Sequence, residues 1–293
     1  MATGWEPNDA AVLIGTSSGA FVGAMVRGDA LYLDSFTGTG ESADEINEWL
    51  NGYLYTRGAP RGAIRWIRRG LLPAIRRPNL HVALGSPGMY RTDGLKRWVS
   101  DSIGSAANGW PDKPTAMVAY DLRERSRVPF GTEGAPETTL AEAVAASAAV
   151  PFIYEPVRIH NRWYADGGMG SGTSADLLLG HPDPLDLVII VAPFAATAPR
   201  SGGRIYEDMF DRGGRKALSA ELKLLANTWP DTDVVVLRPD ESVLDVSRPN
   251  PMSADAAIAT FLATLRSMKH ELARSSVWNT LSRHLVSGTR PWN

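Results

Sequence analysis

Short apolar runs alternate along this chain with longer stretches in which apolar residues recur every three or four positions. The short runs predict β-strands, and they cover residues 12–15, 116–120, 157–160, 162–165, 187–192 and 234–237. The longer stretches predict helices at residues 18–27, 43–53, 60–69, 93–103, 140–149, 206–227, 254–272 and 275–285. Strands that alternate with helices favour the α/β fold class with a mainly parallel central sheet.

Composition narrows the classes of protein further. The 293 residues are 44% hydrophobic and 21% charged, and no long linker divides them, so we expect a single domain over residues 1–293. A net charge of −2 gives no general attraction to nucleic acid. Cysteine is absent and the five histidines lack metal-binding spacing, so we expect no metal and no cofactor. No apolar run is long enough to span a membrane and the first residues do not resemble a signal peptide, which favours a cytoplasmic protein.

The segment Gly15-Thr16-Ser17-Ser18-Gly19 joins the first predicted strand to the first predicted helix. A G-x-S-x-G turn in this context is typical of a nucleophile elbow, in which a sharp turn lifts the serine hydroxyl clear of the sheet. We expect both glycines to be needed because side chains there would collide. The helix N-terminus favours negative charge that develops beside Ser17. An ordinary glycine-rich turn is the alternative interpretation.

A second motif, Asp166-Gly167-Gly168, directly follows the predicted strand at 162–165. Strand ends are where α/β sheets place their chemistry, and the two glycines permit close backbone approach. Taken alone, the same three residues are also typical of a tight turn.

An elbow serine followed much later by Asp-Gly-Gly resembles the bacterial patatin-like phospholipases. Three further blocks support the likeness: residues 113–122 are similar to the family's middle strand, 127–131 to the strand after it, and 140–151 to the helix and proline turn before the aspartate strand. The likeness is strongest over residues 8–192, and residues 193–293 form a mixed, mostly helical C-terminal part. The resemblance implies a three-layer α/β/α patatin-like domain.

The resemblance also implies a function. Ser17 would attack an ester carbonyl and Asp166 would take its proton directly, so the chain is predicted to be a serine lipid acyl hydrolase, of phospholipase A or esterase type, with an acyl-serine intermediate. Gly15, Ser18, Gly19, Gly167 and Gly168 would support the two motifs. Two rivals share the serine elbow: an α/β-hydrolase triad, whose serine normally follows several strands, and an acyl-carrier-protein transacylase, whose histidine partner is not identifiable here.

The chain departs from the family pattern before Ser17. The family places a Gly-rich loop, which forms most of its oxyanion hole, well ahead of the serine, and none of the 16 residues before Ser17 matches it. Losing even one oxyanion donor costs about 10²–10³ in rate. We therefore expect either that the gene product starts upstream of Met1 or that the protein is a diverged, non-catalytic relative that binds acyl lipids or membranes. The activity of this exact chain is doubtful without the loop.

One segment is distinguished by its charge. No Asp or Glu occurs from residue 49 to residue 92, while seven arginines lie between Arg57 and Arg77. A basic amphipathic helix with an interfacial tryptophan suits anionic lipid headgroups. The predicted membrane-contact residues are Arg61, Arg65, Trp66, Arg68 and Arg69, with Ile64, Ile67 and Leu71 expected on another side of the helix. The alternative is a solvated face of an insertion packed over the core.

Overall fold

A computed structural model describes residues 4–31, 48, 51–57, 62–72, 83–196, 205–246 and 257–285. The chain divides into two compact units, one of residues 10–174 and one of residues 1–9 with 175–293. The single-domain organisation expected over residues 1–293 stays a prediction.

The unit of residues 10–174 contains a five-stranded sheet with flanking helices, as in a three-layer α/β/α fold, which confirms the α/β class. Its strands are β1 (Leu13–Thr16), β2 (Thr115–Asp121), β3 (Ser126–Phe130), β4 (Val157–Ile159) and β5 (Arg162–Asp166). Its helices are α1 (Ser18–Arg27), α2 (Ala63–Trp66), α3 (Asp93–Ile103) and α4 (Leu140–Ser147). A π-helical turn, Ile67–Leu71, continues α2.

The expectation of a mainly parallel sheet is wrong for this unit. Among the described strands β1 pairs with β2 in parallel, whereas the pairs β2–β3, β2–β5 and β4–β5 are antiparallel. The reason lies in the connections. Four residues join β2 to β3 and two join β4 to β5, and such short loops can only form hairpins, because a parallel crossover needs a dozen residues or more.

Strands β1 and β5 lie on the same edge of β2. Strand β3 pairs with positions 117–121 of β2 and so occupies the opposite edge. Strand β1 ends opposite Val118, through Thr16, and β5 ends opposite Ala119, through Asp166. Because β1 and β5 run in opposite directions, their carboxyl ends meet at adjacent positions along β2.

Helices α1, α3 and α4 are held to one another by specific contacts. The rings of Phe21 in α1 and Trp98 in α3 lie 4.8 Å apart. Lys96 Nζ of α3 donates to Glu142 of α4 over 2.8 Å. Helix α4 begins with an N-cap in which the Thr139 side chain accepts the Glu142 N–H, and all of its residues except Glu142 are buried. These contacts hold α1 against α3 and the start of α4 against α3.

The second unit has its own small sheet and core. Strands β6 (Leu187–Val191) and β7 (Asp233–Leu237) pair in parallel. The helices are α5 (Ile205–Thr228), α6 (Glu241–Val246), α7 (Ala257–Leu272) and α8 (Ser275–Leu285). The buried side chains of Leu218, Leu225 and Trp229 pack with Val188 and Ile190 of β6. In the parts of the chain that the structure describes, no helix is long and apolar enough to cross a membrane.

The remaining predicted helices are described only in part. Of the stretch at 43–53, the structure describes residue 48 and residues 51–53, all helical. The start of the stretch at 60–69, including Arg61, lies outside the described residues.

Candidate active site

Ser17 lies between β1 and α1, as the N-cap residue of the helix, and is half-buried. Its backbone has φ 56° and ψ −122°, in a region that non-glycine residues rarely adopt. Such a conformation costs about 1–3 kcal/mol and persists only where the surroundings enforce it. The turn at Ser17 therefore has a strained backbone, which the predicted nucleophile elbow requires.

The two glycines of this turn differ in what they contribute. A Cβ on Gly15 would lie 2.6 Å from the carbonyl oxygen of Gly19 and 2.7 Å from Cα of Ala20, so only glycine allows β1 and α1 to approach this closely. A Cβ on Gly19 would meet nothing within 4 Å. The expectation that Gly19 avoids a collision is therefore wrong, because its Cα faces open space at the exposed start of α1.

Ser18 is the first residue of α1 and is exposed. The first N–H groups of a helix have no acceptor one turn earlier in the same helix. The Ser18 and Gly19 N–H groups are thus at the positive end of a ten-residue helix, immediately after Ser17. This position can stabilise negative charge on the oxygen of a carbonyl group whose carbon is attacked by the Ser17 hydroxyl.

Asp166 is the last residue of β5 and only 6% exposed. Its Oδ1 accepts the Gly168 N–H over 2.7 Å, whereas its buried Oδ2 has no hydrogen-bond partner among the described residues. Burial raises the pKa of Asp166 to about 6, and the neighbouring Ser17 side chain and the Gly168 N–H lower this pKa only in part. The Ser17 hydroxyl is thus near enough to the carboxyl group to affect its pKa.

The glycines after Asp166 allow the chain to pass close to β2. A Cβ on Gly167 would lie 2.2 Å from the carbonyl oxygen of Val118 and 3.0 Å from Cγ2 of Thr16. A Cβ on Gly168 would lie 2.8 Å from Asp166 Oδ1, the oxygen that its own N–H binds. Gly167 has no room for a side chain because the ends of β1 and β5 meet at the middle of β2, and a side chain at Gly168 would displace Oδ1 of Asp166.

Ser147, which the sequence analysis did not single out, also contacts this site. It is the last residue of α4 and is fully buried. Its Oγ accepts the Ser17 N–H over 2.9 Å and donates to the Val118 carbonyl over 2.6 Å. The block at 140–151 had drawn attention only as a helix and a proline turn. A serine in an alanine-rich, wholly buried helix face was the available signal.

Three arginines of the basic segment, Arg65, Arg68 and Arg69, line a cavity of about 400 Å³ together with Ile64 and Trp163. Arg65 lies over the Trp163 ring at 4.3 Å and donates to the Gly85 carbonyl, and burial lowers its pKa. Arg68 is exposed, while Nη1 of Arg69 is buried without a hydrogen-bond partner among the described residues.

Several apolar residues of this segment face solvent. Ile64 is 75% exposed, Ile67 46% and Leu72 55%. Trp66 is half-buried, with its ring 5.9 Å from that of Phe152. The expected separation of Ile64 from the arginines is wrong, because Ile64 lines their cavity, and a π-helical turn replaces regular α-helical spacing beyond Trp66.

No group of three or more acidic or histidine side chains in the described ranges is placed to hold a metal ion.

The chemistry that Ser17 and Asp166 can perform together is proton transfer between a serine hydroxyl and a buried carboxylate.

Comparison with known protein families gives a match. A family model described as Patatin-like phospholipase matches residues 8–179, more than half of the chain. The match includes Ser17, Ser147 and Asp166. No curated protein matches the chain.

Proposed function

Because the chain belongs to the patatin-like phospholipase family, we propose that it is a serine lipid acyl hydrolase that uses Ser17 and Asp166 as a catalytic dyad. The family is generally one of hydrolases that act on lipid esters. The observation that carries the proposal is the buried Asp166 carboxyl group, with its pKa raised to about 6, beside a serine in a strained elbow.

In the proposed mechanism the Ser17 hydroxyl attacks the ester carbonyl carbon while its proton passes to the Asp166 carboxylate. The negative charge then lies on the former carbonyl oxygen, next to the first N–H groups of α1. Collapse of this intermediate breaks the ester bond, and the departing alcohol takes the proton from Asp166. Water then attacks the acyl-serine and gives a proton to Asp166. As the bond between Ser17 Oγ and the acyl carbon breaks, Asp166 returns this proton to Oγ, which releases the fatty acid and restores the Ser17 hydroxyl.

The raised pKa suits Asp166 to this role. An aspartate with an ordinary pKa is a weak base, whereas one near 6 is ionised at pH 7 and still has an increased affinity for a proton. Oδ1 is held by the Gly168 N–H, so Oδ2 is the oxygen left to receive the proton.

Hydrolysis of p-nitrophenyl butyrate tests the dyad. We expect Ser17→Ala and Asp166→Asn to reduce hydrolysis to the background rate, while Ser18→Ala, which changes the exposed neighbouring serine, retains it. A fluorophosphonate probe should label Ser17, as peptide mass spectrometry would show. Full activity or labelling in the Ser17→Ala variant would refute the proposal.

The cavity lined by Arg65, Arg68 and Arg69 supports a second role, which is binding to a lipid surface. This binding could accompany hydrolysis or be the function of a non-catalytic relative. Exposed Ile64 and Ile67 lie beside the three arginines on the same segment. Guanidinium groups bind phosphate oxygens, and exposed apolar side chains can enter the lipid interface. We propose that the protein is cytoplasmic and contacts anionic membranes peripherally through this segment. Arg61 is a further predicted contact and lies outside the described residues.

Co-sedimentation with vesicles separates this role from catalysis. The Ser17→Ala variant should bind vesicles rich in anionic phospholipid as strongly as the wild type, and binding should weaken with salt. Replacing Arg68 and Arg69 by glutamine should reduce binding severalfold, whereas Arg123→Gln, at an exposed arginine outside the cavity, should not. Equal binding to neutral vesicles, or no effect of the double replacement, would contradict the membrane role.

A further inference from the structure

Two hydrogen bonds give the Ser147 hydroxyl a fixed direction. A carbonyl oxygen can only accept, so the 2.6 Å contact with Val118 must use the hydroxyl proton of Ser147. The lone pairs of Oγ are then free to accept the Ser17 N–H at 2.9 Å. The side chain thus links the elbow to the central strand through one donor and one acceptor, both satisfied.

The position of Val118 gives this link its importance. Val118 pairs with Thr16 at the end of β1, and the next residue of β2 pairs with Asp166 at the end of β5. Ser147 therefore binds β2 where the strand that leads to Ser17 meets the strand that ends at Asp166. Its contact reaches the backbone of Ser17 itself rather than a neighbouring residue.

The same end of α4 also holds Asp166. The Asp166 N–H donates to the carbonyl oxygen of Ala149 over 3.0 Å, two residues after Ser147. The backbones of both candidate catalytic residues are therefore bonded to one short segment, Ser147 through its side chain and Ala149 through its carbonyl. A shift of this segment would change the distance between the Ser17 and Asp166 side chains.

We propose that Ser147 is a positioning residue that holds the Ser17 elbow at the distance from Asp166 that proton transfer requires, an inference that rests on the proposed hydrolase function. Ser17 has a strained backbone that surrounding contacts must enforce. The Ser147 hydroxyl supplies such a contact at the strained residue. Without it, the Ser17 N–H and the Val118 carbonyl would both lose a partner in a buried place, and the elbow would relax.

Kinetics of Ser147 variants test this role. Ser147→Ala should lower kcat roughly 10- to 100-fold, the effect of misplacing a reacting group by about 1 Å, and should leave KM within about twofold. Ser147→Thr keeps the hydroxyl and should restore most of kcat, and Ser147→Cys, with its weaker donor, should fall between. Val144→Ala is the matched control, since it removes buried methyl groups from the same helix and keeps the Ser147 hydroxyl.

Hydrogen–deuterium exchange gives a readout that does not depend on activity. Ser147→Ala should accelerate exchange in the peptide that contains residues 13–20, while Val144→Ala, with a comparable fall in Tm, should not. Unchanged kcat and unchanged exchange in Ser147→Ala, or equal effects in Val144→Ala, would overturn the inference. Hydrolysis that survives in Ser17→Ala would instead refute the proposed function, whatever the exchange data show.

Discussion

Replacing Asp166 by asparagine should stabilise the protein above about pH 6 even as it abolishes hydrolysis. Burial raises the pKa of Asp166 from 3.8 to about 6, so the folded protein holds this proton more tightly than the unfolded chain. The stabilisation from this group is then fully present below the unfolded pKa, near 3.8, and is lost as the pH rises through about 6. The ionised carboxylate is the less stable form of this site.

The magnitude follows from the same two pKa values. At 1.36 kcal/mol per pKa unit, the interval between 3.8 and about 6 corresponds to about 3 kcal/mol of free energy of unfolding. The group is almost wholly buried, so solvent screening reduces this little. Asparagine keeps an oxygen to accept the Gly168 N–H but carries no charge. We expect the variant to gain up to about 3 kcal/mol over the wild type at about pH 8, and about half of that at about pH 5.

Urea unfolding of both proteins across this pH range measures the difference directly. Asp121→Asn is the control, because Asp121 is also fully buried but accepts hydrogen bonds from the Arg123 and Glu124 N–H groups and from Arg162. Removing its charge should destabilise the protein throughout. A gap between Asp166→Asn and the wild type that does not change with pH, or a more stable wild type at about pH 8, would refute the reasoning.

Two further predictions concern the rate and the elbow. The kcat/KM for ester hydrolysis should rise with pH and level off with an apparent pKa of about 6, because Asp166 must be ionised to accept the Ser17 proton, and a flat profile between about pH 5 and pH 8 would count against this base. Gly15→Ala should cost about 1–3 kcal/mol or more and abolish hydrolysis, because its Cβ would meet backbone atoms of Gly19 and Ala20, whereas Gly19→Ala should stabilise the protein by about 0.4–1 kcal/mol. Thermal unfolding of the two variants checks this contrast, and equal losses of stability would contradict it.

The sequence was most informative where the structure is local. The first strand was predicted at 12–15 and observed at Leu13–Thr16, and the helix after Ser17 begins and ends where its pattern predicted. The Asp-Gly-Gly motif likewise begins at Asp166, the last residue of a strand. Glycines beside an apolar run are signals within a few residues, so a single sequence contains them.

The sequence did not reveal features that depend on distant pairing. The antiparallel placement of β5 depends on its pairing with β2, more than 40 residues earlier in the chain. Ser147 contacts residues 130 and 29 positions away, and a buried serine in a helix carries no local signature of such contacts. The π-helical turn after Trp66 was not predicted either, because the arginines were placed on regular α-helical spacing.

The strained backbone of Ser17 follows from this strand arrangement. If β1 continued by one residue in the same register, Ser17 would lie opposite Ala119, but Asp166 already pairs with Ala119 from the other direction. The chain must therefore leave the sheet at Ser17, and with Gly15 buried against α1 it can do so only through a sharp turn. The residue that occupies the position opposite Ala119, and so makes the chain turn at Ser17, is Asp166, the proposed base. The proposed nucleophile and base lie at neighbouring positions along β2 because each marks the point where the other's strand has to end.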